Sequence, residues 1–112
     1  MKPTPQDRLQ DIARALDLID AFSAKHTEST FCADERDQSA VCWQLLAIGE
    51  AAARLPEEFR MQHAGLPWQQ LISTRNFLAH GYNTIKPERI WVIIVDHLPS
   101  LRKDVQDLLA RG

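Results

Sequence analysis

The sequence predicts an all-α domain, a four-helix up-and-down bundle with a short extra helical turn between the second and third long helices and a proline kink in the last. Three observations support this fold. Apolar residues recur every three or four positions in four long segments, and no segment alternates as a strand would. The four glycines and six prolines of the 112-residue chain act mainly as breaks between helices. We therefore expect residues 1–112 to form one domain, with a thin core.

The first helix is expected from about Pro5 to Lys25. Thr4 can cap it, and Pro5 and Asp7 suit its first turn. The residues at helical spacing, which we expect to face inward, are Leu9, Ile12, Leu16, Ile19 and Phe22.

The second helix is expected to begin after Asp34, a good N-cap, and to end before Pro56. Its apolar stripe comprises Val41, Leu45, Ile48, Ala52 and Leu55. Small residues occupy much of its remaining surface, namely Ala40, Ala47, Gly49, Ala51 and Ala53. We expect them to let a neighbouring helix come close and to favour burial against a second copy of the chain.

The second half of the chain contains a short turn and two further helices. The turn runs from Pro56 through Met61, and a break at Gly65-Leu66-Pro67 precedes a third helix that stops at Gly81. Pro87 begins the last helix, which Pro99 should kink. Inward residues are predicted to be Trp68, Leu71, Ile72 and Leu78 in the third helix, and Ile90, Trp91, Ile94, Leu98, Leu101, Val105 and Leu108 in the last.

Composition excludes several classes of protein. Thirteen lysines and arginines against 15 acidic residues give a net charge of -2, so any contact with nucleic acid must be local. The longest apolar run, from Trp91 to Val95, is too short to span a bilayer, and we expect a cytoplasmic protein. Cys32 and Cys42 are interpreted as buried thiols, with reactivity as a minor alternative, and nothing in their spacing supports a disulfide between them.

Three polar residues interrupt the apolar pattern of the third helix: Arg75, Asn76 and His80. On an ideal helix Asn76 and His80 are about 40° apart, whereas Arg75 is about 140° from His80. A slight unwinding at Gly81, or a cleft that wraps around the helix end, must bring Arg75 and His80 together.

These residue types suit phosphodiester cleavage. A guanidinium donates to phosphate oxygens, an imidazole exchanges protons near neutral pH, and an amide can orient the scissile group. In RNA the 2′-hydroxyl is the nucleophile, so neither a metal nor another cofactor is required. The spacing alone, however, favours a structural interpretation, in which the arginine and histidine cap the helix end.

The whole segment from Arg75 to Tyr82 resembles the Arg-x4-His-x-Tyr motif of the HepT toxins in the HEPN superfamily. Similar landmarks extend along the chain: Ala40-Val41, Ile48-Gly49-Glu50-Ala51, Pro67-Trp68, Trp91 and Leu98-Pro99-x-Leu101.

This resemblance implies a homodimer in which Arg75, Asn76 and His80 of both subunits line a cleft. The implied reaction is endoribonucleolytic and leaves a 2′,3′-cyclic phosphate. Arg75 would stabilise the phosphorane, His80 would act as general acid or base, and Asn76 would position the phosphate.

The resemblance also implies a partner, a minimal nucleotidyltransferase that acts as antitoxin and adds AMP to Tyr82. A structural alternative is that Tyr82 packs against the last helix. An alternative function is a catalytically silent HEPN module that binds a nucleotide or this partner.

Several residues outside the segment from Arg75 to Tyr82 also have more than one possible role. Glu50 is either a solvated charge or the carboxylate that holds Arg75. Trp43, Trp68 and Trp91 are predicted to pack in the core rather than to stack on bases. The three remaining histidines, His26, His63 and His97, are interpreted as surface or cap residues and not as metal ligands. The basic residues Arg102, Lys103 and Arg111 are interpreted as a solvated face with modest scope for an RNA contact.

Overall fold

The computed structural model describes residues 2–81 and 84–111, and these residues form helices and no strand. The long helices are α1 (Pro5–Ser23), α3 (Glu35–Arg54), α5 (Trp68–Gly81) and α7 (Leu98–Arg111), and the short ones are α2 (Glu28–Cys32), α4 (Glu57–Gln62) and α6 (Pro87–Val92). A π-helical turn, Ile93–His97, joins α6 to α7 into the last rod of the bundle. The predicted all-α bundle is confirmed.

The helix starts follow the sequence signals. The Thr4 hydroxyl accepts from the backbone N–H of Asp7 at 3.1 Å, and the Asp7 carboxylate accepts from the backbone N–H of Thr4 at 2.8 Å. Asp34 caps α3 by accepting from the N–H of Asp37 at 3.0 Å. The α1 helix ends at Ser23, slightly before the predicted Lys25.

The short helix α2 was not predicted from the sequence. Its five residues are too few to show helical periodicity, but Thr27 and Thr30 form a reciprocal cap at its start. Phe31 is fully buried and packs on Trp91, with 5.4 Å between ring centroids. This contact ties α2 to the last rod.

The predicted disturbance at Pro99 takes the form of the π-helical turn. Pro99 has no N–H to donate to the carbonyl of Val95, one turn earlier, and Val95 lies within the π-helical turn. The rod then continues as α7, with Leu98, Leu101, Val105 and Leu108 buried.

The core lies where α3 packs between α1 and α5, while α7 covers α1. The α3 and α5 helices approach closely at Gly49. A Cβ there would meet the Cβ of Arg75 and lie 2.7 Å from the carbonyl oxygen of Leu71. The close neighbour at Gly49 is α5 of the same chain, as expected for a small residue that lets a neighbouring helix come close.

Trp43 corrects the prediction that all three tryptophans pack in the core. Trp68 is buried and Trp91 half-buried, but Trp43 is 69% exposed. The buried stripe of α3 includes Val41 and Leu45. Trp43 lies two residues from each, about 200° around the helix axis, and therefore points to the opposite side.

The cysteines also differ from the prediction in part. Cys42 is buried, and burial raises the pKa of its thiol to about 11. Cys32 is only half-buried, and desolvation together with nearby Glu88 raises the pKa of its thiol as well. Both thiols are free and protonated at neutral pH.

No helix in the described part of the chain combines the length and the apolar character needed to cross a bilayer.

Candidate active site

Arg75 lies on the face of α5 that packs against α3. Its side chain is 26% exposed, and its Nη1 donates to the Glu50 Oε1 at 2.9 Å. The close approach at Gly49 brings the two helices near enough for this contact. Of the two alternatives for Glu50, the structure therefore contains the one in which the carboxylate holds Arg75.

Glu50 also contacts a second arginine. Its Oε2 accepts from the Nε of Arg54, one turn later in α3, at 3.3 Å. One carboxylate thus lies between two guanidinium groups, and its negative charge is compensated from both sides. The side chain of Glu50 is 43% exposed, so this network is open to solvent.

The Arg75 guanidinium keeps donors that the bundle does not use. Its Nε is buried without a hydrogen-bond partner among the described residues. A buried, unpaired N–H is costly, and such groups are found where structures store strain or bind ligands. Arg75 is therefore held by Glu50 through its Nη1, while its Nε is enclosed by the bundle without a partner among the described residues.

Asn76 and His80 are exposed on α5, on the side turned away from α3. The α5 helix includes Gly81, so the unwinding at Gly81 that was one of the two expectations does not occur. Arg75 and His80 stay about 140° apart around the axis of α5. A single chain therefore joins Arg75 to Glu50 but does not bring His80 to them.

The end of α5 is held by a local contact. The Thr84 hydroxyl donates to the carbonyl of Gly81 at 2.6 Å, which satisfies one of the last carbonyls of the helix. Gly81 ends α5 as predicted. Tyr82, the predicted modification site, lies outside the described residues.

A second polar cluster, which was not predicted from the sequence, joins the end of α1 to the start of α3. His26 was expected at the surface or at a cap, but only 6% of its side chain is exposed. Its Nδ1 lies 2.9 Å from the Thr30 hydroxyl, and its Nε2 lies 2.7 Å from the Asp37 carboxylate.

This cluster strongly favours the ionised form of Asp37. The hydrogen bond with His26 lowers the pKa of the Asp37 carboxyl to about 2 against the opposing effect of desolvation, and Lys25 assists. His26, Asp34 and Asp37 place one ligand atom each within 4.8 Å of one another. The spacing of these three residues in the sequence does not match a metal-binding motif. The one local feature of the sequence that indicates this region is the pair of helix-cap residues, Thr27 and Asp34.

The geometry therefore defines a candidate site for phosphodiester chemistry on α5. It contains a guanidinium held by a carboxylate, with an exposed amide and imidazole on the same helix. An all-α bundle with these groups near the end of its third long helix has the features of a HEPN domain. Comparison with known proteins identifies the family within this class.

The family model described as "Ribonuclease HepT-like" matches residues 12–108, and the chain belongs to this family. A protein of Thermococcus cleftensis named "Probable ribonuclease HepT" is 32% identical, over 96% of this chain and 98% of its own length. A "Putative RNase" of Methanocaldococcus jannaschii is 34% identical over 83% of this chain and 76% of its own. Another, from Caldanaerobacter subterraneus, is 30% identical over 96% of both chains. No solved structure matches with comparable significance.

Proposed function

We propose that this protein is a metal-independent endoribonuclease and the toxin of a toxin–antitoxin pair in the cytoplasm. The observation that carries the proposal is that Arg75, which Glu50 of α3 holds in place, lies on the same helix as the exposed Asn76 and His80, in a chain of the HepT-like family. The names of its relatives, which refer to ribonucleases, support the same activity.

In the proposed reaction the ribose 2′-oxygen attacks the adjacent phosphorus, and the bond from phosphorus to the 5′-oxygen breaks. The imidazole of His80 from one subunit accepts the 2′-hydroxyl proton. The protonated imidazole of the other His80, or water, supplies a proton to the leaving 5′-oxygen. Arg75 stabilises the charge that develops on the phosphorane oxygens, and the Asn76 amide orients the phosphate. The products are a 2′,3′-cyclic phosphate and a 5′-hydroxyl.

A homodimer would complete the site. Arg75 and His80 point in different directions in one chain, so a cleft between two copies is the simplest way to bring both to one phosphate. Exposed aromatic side chains support such an interface. Trp43 on α3 is 69% exposed and Phe77 on α5 is 54% exposed. Contact between such large apolar side chains and water is unfavourable, so burial of them against a second copy would stabilise a dimer.

A minimal nucleotidyltransferase is the proposed antitoxin, and the proposed modification is addition of AMP to Tyr82. Tyr82 follows directly after the end of α5, two residues beyond His80, so negative groups added there would repel an RNA phosphate by charge and bulk. Mass spectrometry after incubation with the partner and ATP should show AMP on the peptide that contains Tyr82. An unmodified peptide would leave direct blocking of the cleft as the antitoxin action.

A second candidate is a catalytically silent module that binds a nucleotide or the partner. It is favoured by the Arg75–Glu50 contact, because an arginine neutralised by a carboxylate can be purely structural. In that case neither Arg75 nor His80 would affect RNA.

The experiment that separates the two functions is inducible expression of this chain alone beside a His80→Ala variant. Growth arrest together with loss of intact RNA is expected from the parent chain only. Equal effects from both chains, or none from either, would contradict the ribonuclease proposal.

A further inference from the structure

A shallow groove of about 390 Å³ runs between α1 and α3 and reaches Glu50. Arg8, Asp11 and Arg14 line it from α1, while Ala47, Glu50 and Arg54 are among the residues that line it from α3. It begins where the candidate active site ends, because Glu50 belongs to both.

The groove differs in charge from the rest of the molecule. With Arg75 it assembles four guanidinium groups around two carboxylates, those of Asp11 and Glu50, in a chain whose net charge is -2. Among the residues the structure describes, Arg8 and Arg14 make no ion pair. Their charges are therefore free to bind an anion.

The groove and the site are connected through one carboxylate. Glu50 contacts Arg75 at 2.9 Å on one oxygen and Arg54 at 3.3 Å on the other. Along α1, Arg8 and Arg14 are six residues apart, which corresponds to about 9 Å of helix axis. Positive charge thus extends from the proposed scissile phosphate along the surface of the bundle.

We infer that this groove holds backbone phosphates of the RNA substrate on one side of the cleaved bond. The inference rests on the proposed function and adds a substrate subsite to it. Guanidinium groups match phosphate oxygens with paired hydrogen bonds. The remaining lining consists of Gln44 and three alanines, Ala15, Ala47 and Ala51, so the arginines supply most of the hydrogen-bond donors of the groove. The groove therefore binds RNA mainly through the charge of its backbone.

The test measures binding of a labelled, single-stranded RNA of mixed sequence at several salt concentrations. The parent is His80→Ala, which prevents cleavage during the titration, and the groove variant adds Arg8→Gln and Arg14→Gln. Each phosphate contact in a single strand contributes about 0.7 to the slope of log affinity against log salt, so loss of two contacts should lower the slope by about 1.4. Affinity at low salt should fall roughly tenfold or more.

The matched control adds Lys103→Gln and Arg111→Gln, which remove the same charge from exposed positions on α7. This control should keep the parent's slope. Equal weakening by both double variants would mean that overall charge, or an equal RNA contact on α7, explains the binding without the groove, and an unchanged slope in the groove variant would mean that the groove does not bind RNA. A changed oligomeric mass in the groove variant would make the groove a protein interface. Each of these three results overturns the inference.

Cleavage by the chain with His80 intact separates this inference from the function on which it rests. If that chain cleaves RNA and the groove substitutions leave cleavage and binding unchanged, only the groove assignment fails. If it binds RNA through the groove but never cleaves it, the ribonuclease proposal fails and the groove assignment stands. Absence of any RNA binding overturns both.

Discussion

Arg75 shows how far a single residue can be interpreted from the sequence. Its polar character in an apolar helix marks it as a site candidate together with Asn76 and His80. Its partner, Glu50, cannot be identified in the same way, because it is 25 positions away and the two residues meet only through the packing of α3 on α5. The sequence therefore leaves two roles open for Glu50, and the structure decides which contact forms.

The His26–Asp37 contact should affect stability in acid. The pKa of Asp37 lies near 2 in the folded protein, below its ordinary value of 3.8, so the unfolded chain takes up the proton more readily. The stabilisation from this carboxylate is therefore present above about pH 4 and lost as the pH falls towards 2. His26→Ala removes the largest cause of the shift. We expect the variant to have a lower free energy of unfolding than the parent at pH 5, and that free energy to fall less steeply than the parent's between pH 4 and 2.

Urea unfolding at several pH values measures both effects. The control is His97→Ala, because His97 is exposed and should leave both quantities unchanged. If His26→Ala keeps the parent's full dependence on pH between 4 and 2, the His26 contact does not set the pKa of Asp37.

The helices themselves were largely predictable because their ends carry strong local signals. Thr4, Asp34 and Gly81 each act where the sequence predicts. The short α2 was missed because its stability comes from burying Phe31 against Trp91, a contact over a long sequence distance. The π-helical turn was foreseen only as a kink, since a missing N–H at Pro99 does not specify how the previous turn relaxes.

Gly49 tests the packing of α3 on α5. Gly49→Ala would place a Cβ 2.7 Å from the Leu71 carbonyl and against the Cβ of Arg75, and neither atom is the free end of a flexible side chain. Such overpacking costs about 1–3 kcal/mol or more, against a gain of about 1 kcal/mol in helix propensity. Because a Cβ would lie too close to two neighbours at once, the cost should fall in the upper half of that range, which leaves a net loss of about 1–2 kcal/mol in the free energy of unfolding.

Denaturant unfolding gives this number, and Gly65→Ala is the matched control. A Cβ at Gly65 meets no atom within 4 Å, so stability there should change by less than about 0.5 kcal/mol. Cleavage should also fall in Gly49→Ala, because the shift of α5 moves Arg75 relative to Glu50. A variant at Gly49 as stable as the parent would contradict the close helix approach.

At the scale of the whole molecule, the bundle follows from the periodicity of the sequence, but the surfaces left for partners do not. Periodicity identifies the core face of a helix, whereas Trp43 shows that a large aromatic residue can lie on the opposite face. The positive groove could not be foreseen either, since Arg8, Arg14 and Arg54 come from two helices that only tertiary packing brings together.

Sedimentation at micromolar concentration tests the proposed dimer. The expected mass is twice the 12.8 kDa of one chain, because a thin core and the exposed Trp43 and Phe77 favour burial against a second copy. A monomer at that concentration would remove the shared cleft, and with it the means by which Arg75 and His80 act on one phosphate.

The most direct test of the central claim is RNA cleavage by the purified protein in excess EDTA, compared with Arg75→Ala and His80→Ala. The parent should cleave RNA and leave 2′,3′-cyclic phosphate ends. His80→Ala should lower the rate by roughly 10²–10⁴-fold, the usual contribution of general acid–base catalysis, and Arg75→Ala should lower it to a similar degree. Both variants should keep the helical content and mass of the parent. Cleavage by His80→Ala at the parent's rate, or activity that needs an added divalent ion, would contradict the account.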